Sequence, residues 1–190
     1  GILIGVRPTK IVGRFLKMGL VYEEIDKILE KIYFVSDEKR KLLLDIVKSQ
    51  ELYLDKETIG IYIGIAFCPT KCSYCSFPAY LLRGKYSERY DEYIESIYHE
   101  VSEIGKLTQE LNLKINTIYI GGGTPSILTA EEIDKLLKTV KKNYNLEHLK
   151  EFTFEAGRID TLDEKKLAII KSYGINKISI NPQSFNEKTL

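Results

Sequence analysis

Residues 58–75 read TIGIYIGIAFCPTKCSYC, and two patterns meet at Phe67. In the first, Ile59, Ile61, Ile63, Ile65 and Phe67 alternate with Gly60, Tyr62, Gly64 and Ala66. Period two marks a β-strand with one apolar face. In the second, Cys68, Cys72 and Cys75 follow directly, which puts them in the loop after the strand. They are the chain's 3 cysteines. An odd, tightly clustered set is a poor disulfide framework, so the expected compartment is the reducing cytoplasm. Thiolates bind iron and zinc well. Three of them on one short loop can ligate three irons of a cubane and leave the fourth iron open, whereas most such clusters take four cysteines. The alternatives are three inert thiols or a structural zinc site, which closes with four ligands. The 2 histidines, His99 and His148, form no recognisable pair for that purpose.

Downstream, strand and helix alternate. Tyr90, Tyr93, Ile94, Ile97, Val101 and Ile104 outline a long amphipathic helix. Ile115 to Ile120 form a second strand ending at Gly121-Gly122-Gly123. Thr129 and Glu132 read as a capping box before a helix with Ile133, Leu136, Leu137 and Val140 inward. Phe152 to Glu155 are a third strand. Thr161 and Glu164 read as another capping box, Gly174 as a helix stop, and Ile178 to Gln183 as a fourth strand. Such repetition predicts parallel strands joined by right-handed crossovers.

Upstream, residues 1–57 read as a helical region. Arg7-Pro8-Thr9 predicts a helix start, and Ile25, Ile28, Leu29 and Ile32 share one helical face. Ser36 reads as an N-cap with Asp37 and Glu38 behind it. Leu43, Ile46, Val47 and Leu54 continue an apolar stripe. The expected division is therefore a helical region, 1–57, and an α/β region, 58–190. The chain starts without Met and stops just after the fourth strand. A full eight-unit barrel takes roughly 250 residues, so the α/β region is expected to be a truncated barrel rather than an open four-stranded unit.

The chain has 190 residues, 44% hydrophobic and 29% charged, with a formal net charge of +1. This composition suits a globular fold. Its charge balance argues against an electrostatic grip on nucleic acid or an anionic membrane. No run approaches the ~20 apolar residues of a membrane span.

The CxxxCxYC loop resembles the motif of the radical S-adenosylmethionine (SAM) superfamily. Gly121-Gly122-Gly123-Thr124-Pro125, Phe154-Glu155-Ala156-Gly157-Arg158 and the segment from Ser179 through Gln183 to Asn186 resemble motifs of the oxygen-independent coproporphyrinogen III oxidase family. The opening Gly5-Val6-Arg7-Pro8-Thr9-Lys10 resembles a Gram-positive branch often labelled coproporphyrinogen dehydrogenase. The sequence departs from better-known members in having Gly64-Ile65-Ala66-Phe67 where they carry a His.

The resemblance implies a radical SAM β/α barrel. Cys68, Cys72 and Cys75 would hold a [4Fe–4S] cluster. Tyr62, Tyr74, Gly122, Gly123, Thr124, Glu155 and Gln183 would form the pocket for the cosubstrate SAM. Strand parity agrees in one respect: Tyr62, Glu155 and Gln183 lie opposite the large aliphatics, toward the barrel interior. Each motif also has a plainer reading. The glycines would be a tight turn, Glu155 a solvated strand-end acid, Gln183 a structural hydrogen bonder, Arg158 a surface ion pair rather than a carboxylate binder, and Tyr86, Tyr90, Tyr93 and Tyr98 packing.

The implied activity is oxidative decarboxylation of coproporphyrinogen III to protoporphyrinogen IX. Hydrogen abstraction from a propionate would be followed by loss of carbon dioxide and an electron. The implied partners are a porphyrinogen or haem and an electron donor such as flavodoxin or ferredoxin. A haem-binding or haem-delivery protein on the same scaffold and a radical SAM enzyme with another substrate are the alternatives, because fold does not fix function.

Overall fold

A computed structural model describes Leu3 and residues 7–51, 57–181 and 184–188. Chain contacts divide into two compact units, Gly1–Lys56 and Glu57–Leu190.

The first unit contains three helices, α1 (Pro8–Lys17), α2 (Tyr22–Lys31) and α3 (Asp37–Glu51). Pro8 opens α1 at a position whose N–H has no intrahelical partner. Val12, Ile25, Leu29, Leu43 and Val47 are buried together. Ile32 and Ile46 point outward, so the buried stripe is narrower than periodicity alone predicted. Arg40 is nearly covered, and its charge is met by Asp26 at 2.8 Å and the Val35 carbonyl at 2.9 Å. The expected contribution of Leu54 lies outside the described residues.

The second unit is built on a four-stranded parallel sheet: β1 (Thr58–Ile65), β4 (Lys114–Gly122), β5 (Glu151–Glu155) and β6 (Lys177–Ser179), in that order. Helices α4 (Tyr90–Glu110), α5 (Ala130–Asn143) and α6 (Glu164–Ser172) lie between successive strands. Sequential order means each crossover steps the same way, which stacks the helices on one face like the wall of a β/α barrel.

Strand parity separates the faces. Ile63, Ile65, Ile118, Ile120, Phe152 and Phe154 are buried in one core with Ile94, Val101, Ile133, Leu136, Leu137, Val140 and Ile170 of the helices. Each large side chain buried there contributes about 1.5–3 kcal/mol. Gly60, Tyr62, Gly64, Thr117, Tyr119, Gly121, Thr153, Glu155 and Ser179 occupy the other parity, register-matched across the strands.

Local signals set most element ends. The Thr129–Glu132 capping box is formed in both directions, at 2.7 and 3.2 Å. Gly174, with φ 78°, follows α6. Two boundaries differ from the sequence reading. Asp163, not Thr161, caps α6, accepting from the Lys166 N–H at 2.8 Å. A carboxylate two residues nearer the helix is the better placed acceptor, and Thr161 instead meets Ser126 at 2.6 Å. The fourth strand ends at Ser179, short of Ile180 and Asn181, and Gln183 lies outside the described residues.

The first strand also stops early. β1 ends at Ile65, and Phe67–Cys68 (β2) pair instead with Tyr80–Leu81 (β3). The Tyr93 hydroxyl of α4 plugs the break. It accepts from the Ala66 N–H at 2.8 Å and donates to the Gly64 carbonyl at 2.8 Å, using both capacities of a hydroxyl. Phe67 is buried against Tyr80, Tyr90 and Tyr93, with ring centroids 6.0, 5.3 and 5.2 Å away. Tyr90 and Tyr98 both bond to Glu132, so these tyrosines have packing and bridging roles. Tyr93→Phe leaves both backbone groups at the break without this partner and should cost about 1–3 kcal/mol. Chemical denaturation of variant and parent measures it.

Candidate functional site

The break after Ile65 positions the cysteines. Beyond it, the end of β4 stays beside the chain leading into the loop: the Gly123 N–H donates to the Ile65 carbonyl at 2.6 Å and the Thr124 N–H to the Phe67 carbonyl at 2.9 Å. A side chain at Gly123 would prevent this approach, because a Cβ there would lie 2.7 Å from the Phe67 carbonyl oxygen and 2.9 Å from Cys68 Sγ. Gly122 has φ 117°, where a Cβ is strained. The glycine run is thus a backbone seam against the cysteine segment, not only a turn.

Cys68, Cys72, Tyr74, Cys75, Gly122, Gly123, Thr124, Glu155 and Arg158 line one cavity at the C-terminal ends of the strands. This brings together every sequence-predicted site residue except Tyr62 and Gln183. Tyr62 stands on the same sheet face, stacked on Tyr119 with centroids 5.8 Å apart and planes at 12°. Both rings lean along their strands, over Gly64 and Gly121 respectively. Gln183 lies outside the described residues.

The three thiols are free, and each sulfur accepts at least one hydrogen bond, with Cys72 also hydrogen-bonded to the Tyr74 side chain. Thr124 Oγ1 donates to Cys68 at 3.3 Å, Arg158 Nη1 to Cys72 at 3.6 Å, and the Phe77 N–H to Cys75 at 3.4 Å. Thr124 is buried and its N–H is already used, so its hydroxyl is directed at the loop. Among the described residues, no group of three or more His, Cys, Asp or Glu is gathered to hold a single metal ion. A cubane makes a different demand, one sulfur on each of three irons, and three free cysteines along one cavity wall, each supplied with a donor, fit that group.

Glu155 is held from two sides. Its carboxylate accepts from the Gly122 N–H at 3.0 Å and from the Tyr119 hydroxyl at 3.2 Å. Burial, then the Glu155 charge, pushes the Tyr119 phenol up, so it remains a donor at neutral pH. The same two causes raise Tyr62. Glu155 is therefore oriented, not a loose strand-end acid. Sequence reasoning missed Tyr119, though it shares the parity of Tyr62 and Glu155 and stands two residues before the glycines. Arg158 carries an ion pair with Asp160 at 2.6 Å, and it also crosses to Thr70 Oγ1 at 2.9 Å.

Gly123→Ala should sharply reduce the iron retained after anaerobic reconstitution. Gly157→Ala, at a cavity-lining glycine whose Cβ would meet nothing within 4 Å, should bind iron like the parent. Iron and sulfide analysis of the two variants checks this.

Comparison with known proteins gives four findings. The family model described as "Radical SAM superfamily" matches residues 62–190. The chain is 43% identical to the oxygen-independent coproporphyrinogen-III oxidase-like protein HemZ of Bacillus subtilis, over all of this chain and 39% of that protein. It is 33% identical to the heme chaperone HemW of Escherichia coli over 70% of this chain and 34% of that one. The chain thus spans well under half the length of these relatives. The solved structure of coproporphyrinogen III oxidase (HemN) from Escherichia coli, a radical SAM enzyme, shares the fold with a TM-score of 0.57 and 23% identity, over 75% of this chain and 32% of that one. No helix among the described residues is long and apolar enough to cross a membrane. The cysteine-lined cavity therefore sits on a chain that belongs to the radical SAM superfamily.

Proposed function

We propose that this chain carries the cluster and SAM site of an oxidoreductase that converts coproporphyrinogen III to protoporphyrinogen IX without oxygen. The observation that carries the proposal is the convergence of three hydrogen-bonded cysteine sulfurs, the Gly122–Thr124 seam and the oriented Glu155 on one cavity. Cys68, Cys72 and Cys75 would hold a [4Fe–4S] cluster, which, when bound, supplies the electron that cleaves SAM. Glu155, fixed by Tyr119 and Gly122, presents a carboxylate for the cosubstrate's ammonium group. Tyr62 and Tyr74 offer exposed ring faces for its adenosyl part. Gln183 would complete the pocket from the segment after β6. A reducing cytoplasm and a flavodoxin- or ferredoxin-like donor belong to the same proposal.

Similarity to HemZ runs along the entire chain, including the helical unit, and favours the oxidase reading. Similarity to heme chaperones over 70% of the chain supports haem binding or delivery as the second reading. Anaerobic reconstitution with iron, sulfide and reductant, followed by SAM and coproporphyrinogen, separates them. The oxidase reading expects decarboxylated porphyrin and 5′-deoxyadenosine. Haem transfer without decarboxylation would overturn it in favour of delivery.

Glu155→Ala should weaken SAM binding about tenfold or more, ~1.4 kcal/mol, while leaving iron content nearly unchanged. Equilibrium dialysis with SAM and iron analysis read the two quantities separately. A parallel loss of both would make Glu155 a purely structural residue.

A further inference from the structure

Arg158 lies just beyond β5, 86 positions from Cys72, yet its guanidinium reaches that sulfur. The fork is divided. Nε and Nη2 bond to the two oxygens of Asp160, at 2.9 and 2.6 Å. Nη1 turns to the cysteine loop, where it meets Thr70 Oγ1 at 2.9 Å, the Thr70 carbonyl at 3.4 Å and Cys72 Sγ at 3.6 Å. Arg158 has only 24% of its side chain exposed, against 54% for Asp160, so the contact to sulfur is on the sheltered side. With two nitrogens on Asp160 and the third on the loop, the fork offers no free edge for a bidentate grip on a substrate carboxylate.

A planar guanidinium held this way does what a lysine cannot: it fixes the direction of an N–H as well as the place of a charge. Lys71, next to Cys72, is exposed and supplies charge without that direction. The potentials of iron–sulfur centres depend on net charge and on hydrogen bonds to the ligating sulfurs. Groups that orient ligands also control how firmly the metal is held.

We infer that Arg158 is a positioning residue for Cys72, braced by Asp160, which fixes the cysteine loop and raises the reduction potential of the centre that loop holds. The inference rests on the cluster reading above. Its chemistry is electrostatic: a positive N–H donor beside a ligand sulfur favours the reduced, more negative centre. Asp160 partly offsets the charge while setting the orientation. Thr70 joins the loop backbone to the same nitrogen, so loop position and sulfur contact change together.

The test uses the anaerobically reconstituted protein and three variants. Reduction potential is followed by spectroscopic redox titration, and iron loss by transfer to a chelator. Arg158→Gln should make the potential more negative and speed iron loss on the order of 10-fold. Arg158→Lys should keep the potential nearer the parent value while still losing iron faster, because charge remains and the Thr70 latch does not. Asp160→Asn should move the potential the opposite way, upward. A strap with only a structural role would change iron loss and leave all potentials together, and that result would overturn the inference while leaving the cluster reading intact. A parent protein with no cubane spectrum would overturn both. Should Arg158→Gln fail to fold, the upward shift expected of Asp160→Asn, beside a potential near the parent value for Arg158→Lys, still decides the matter.

Discussion

Two backbone hydrogen bonds, from Gly123 to Ile65 and from Thr124 to Phe67, tie the end of the second sheet strand to the chain entering the cysteine loop. Everything in the cavity depends on that seam. It exists because Gly123 lacks a Cβ and because β1 ends two residues before Phe67, freeing the chain to pair with Tyr80 and Leu81. The Tyr93 hydroxyl stabilises this break by satisfying a donor and an acceptor at once. Without such a partner, interrupted strand pairing would leave backbone groups unmet at the edge of the core.

The electrostatics of the cavity follow from the seam. Cys68 is brought under the Thr124 hydroxyl and Cys72 under the Arg158 guanidinium, while Cys75 takes an N–H from its own loop. A sulfur that must carry negative charge is stabilised by such donors. The carboxylate of Glu155 stands apart from the sulfurs' donors, held by Tyr119 and Gly122. Opposite charges are thus organised along one wall: donors toward sulfur, an acceptor toward the cavity. This arrangement suits a bound group with both an anionic metal centre and a cationic amine.

The sheet explains why these groups share one side. Period-two alternation buries the isoleucines and phenylalanines beneath the helices and turns Tyr62, Tyr119 and Glu155 to the opposite face. Because strand order is sequential, the helices pack on the apolar face, and the site residues lie on the other. The same alternation that makes the core therefore also sorts the site residues.

Much of this was legible in the residues themselves. Alternation in residues 59–67 and 115–120, the Thr129–Glu132 box and the cysteine spacing are local signals, carried by periods of two or three to four residues, and they fixed fold class and candidate ligands. The cap at Asp163 was misplaced by two residues, because both Thr161 and Asp163 could accept a helix N–H and only the path of the preceding turn selects between them. What only the tertiary structure decided is long-range: Tyr93 reaching the strand break, Tyr119 bracing Glu155, and Arg158 crossing 86 positions to Cys72. Local sequence encodes periodicity because neighbouring side chains share one backbone geometry. It does not encode which donor meets which sulfur, since that depends on distances set by sheet register and helix packing.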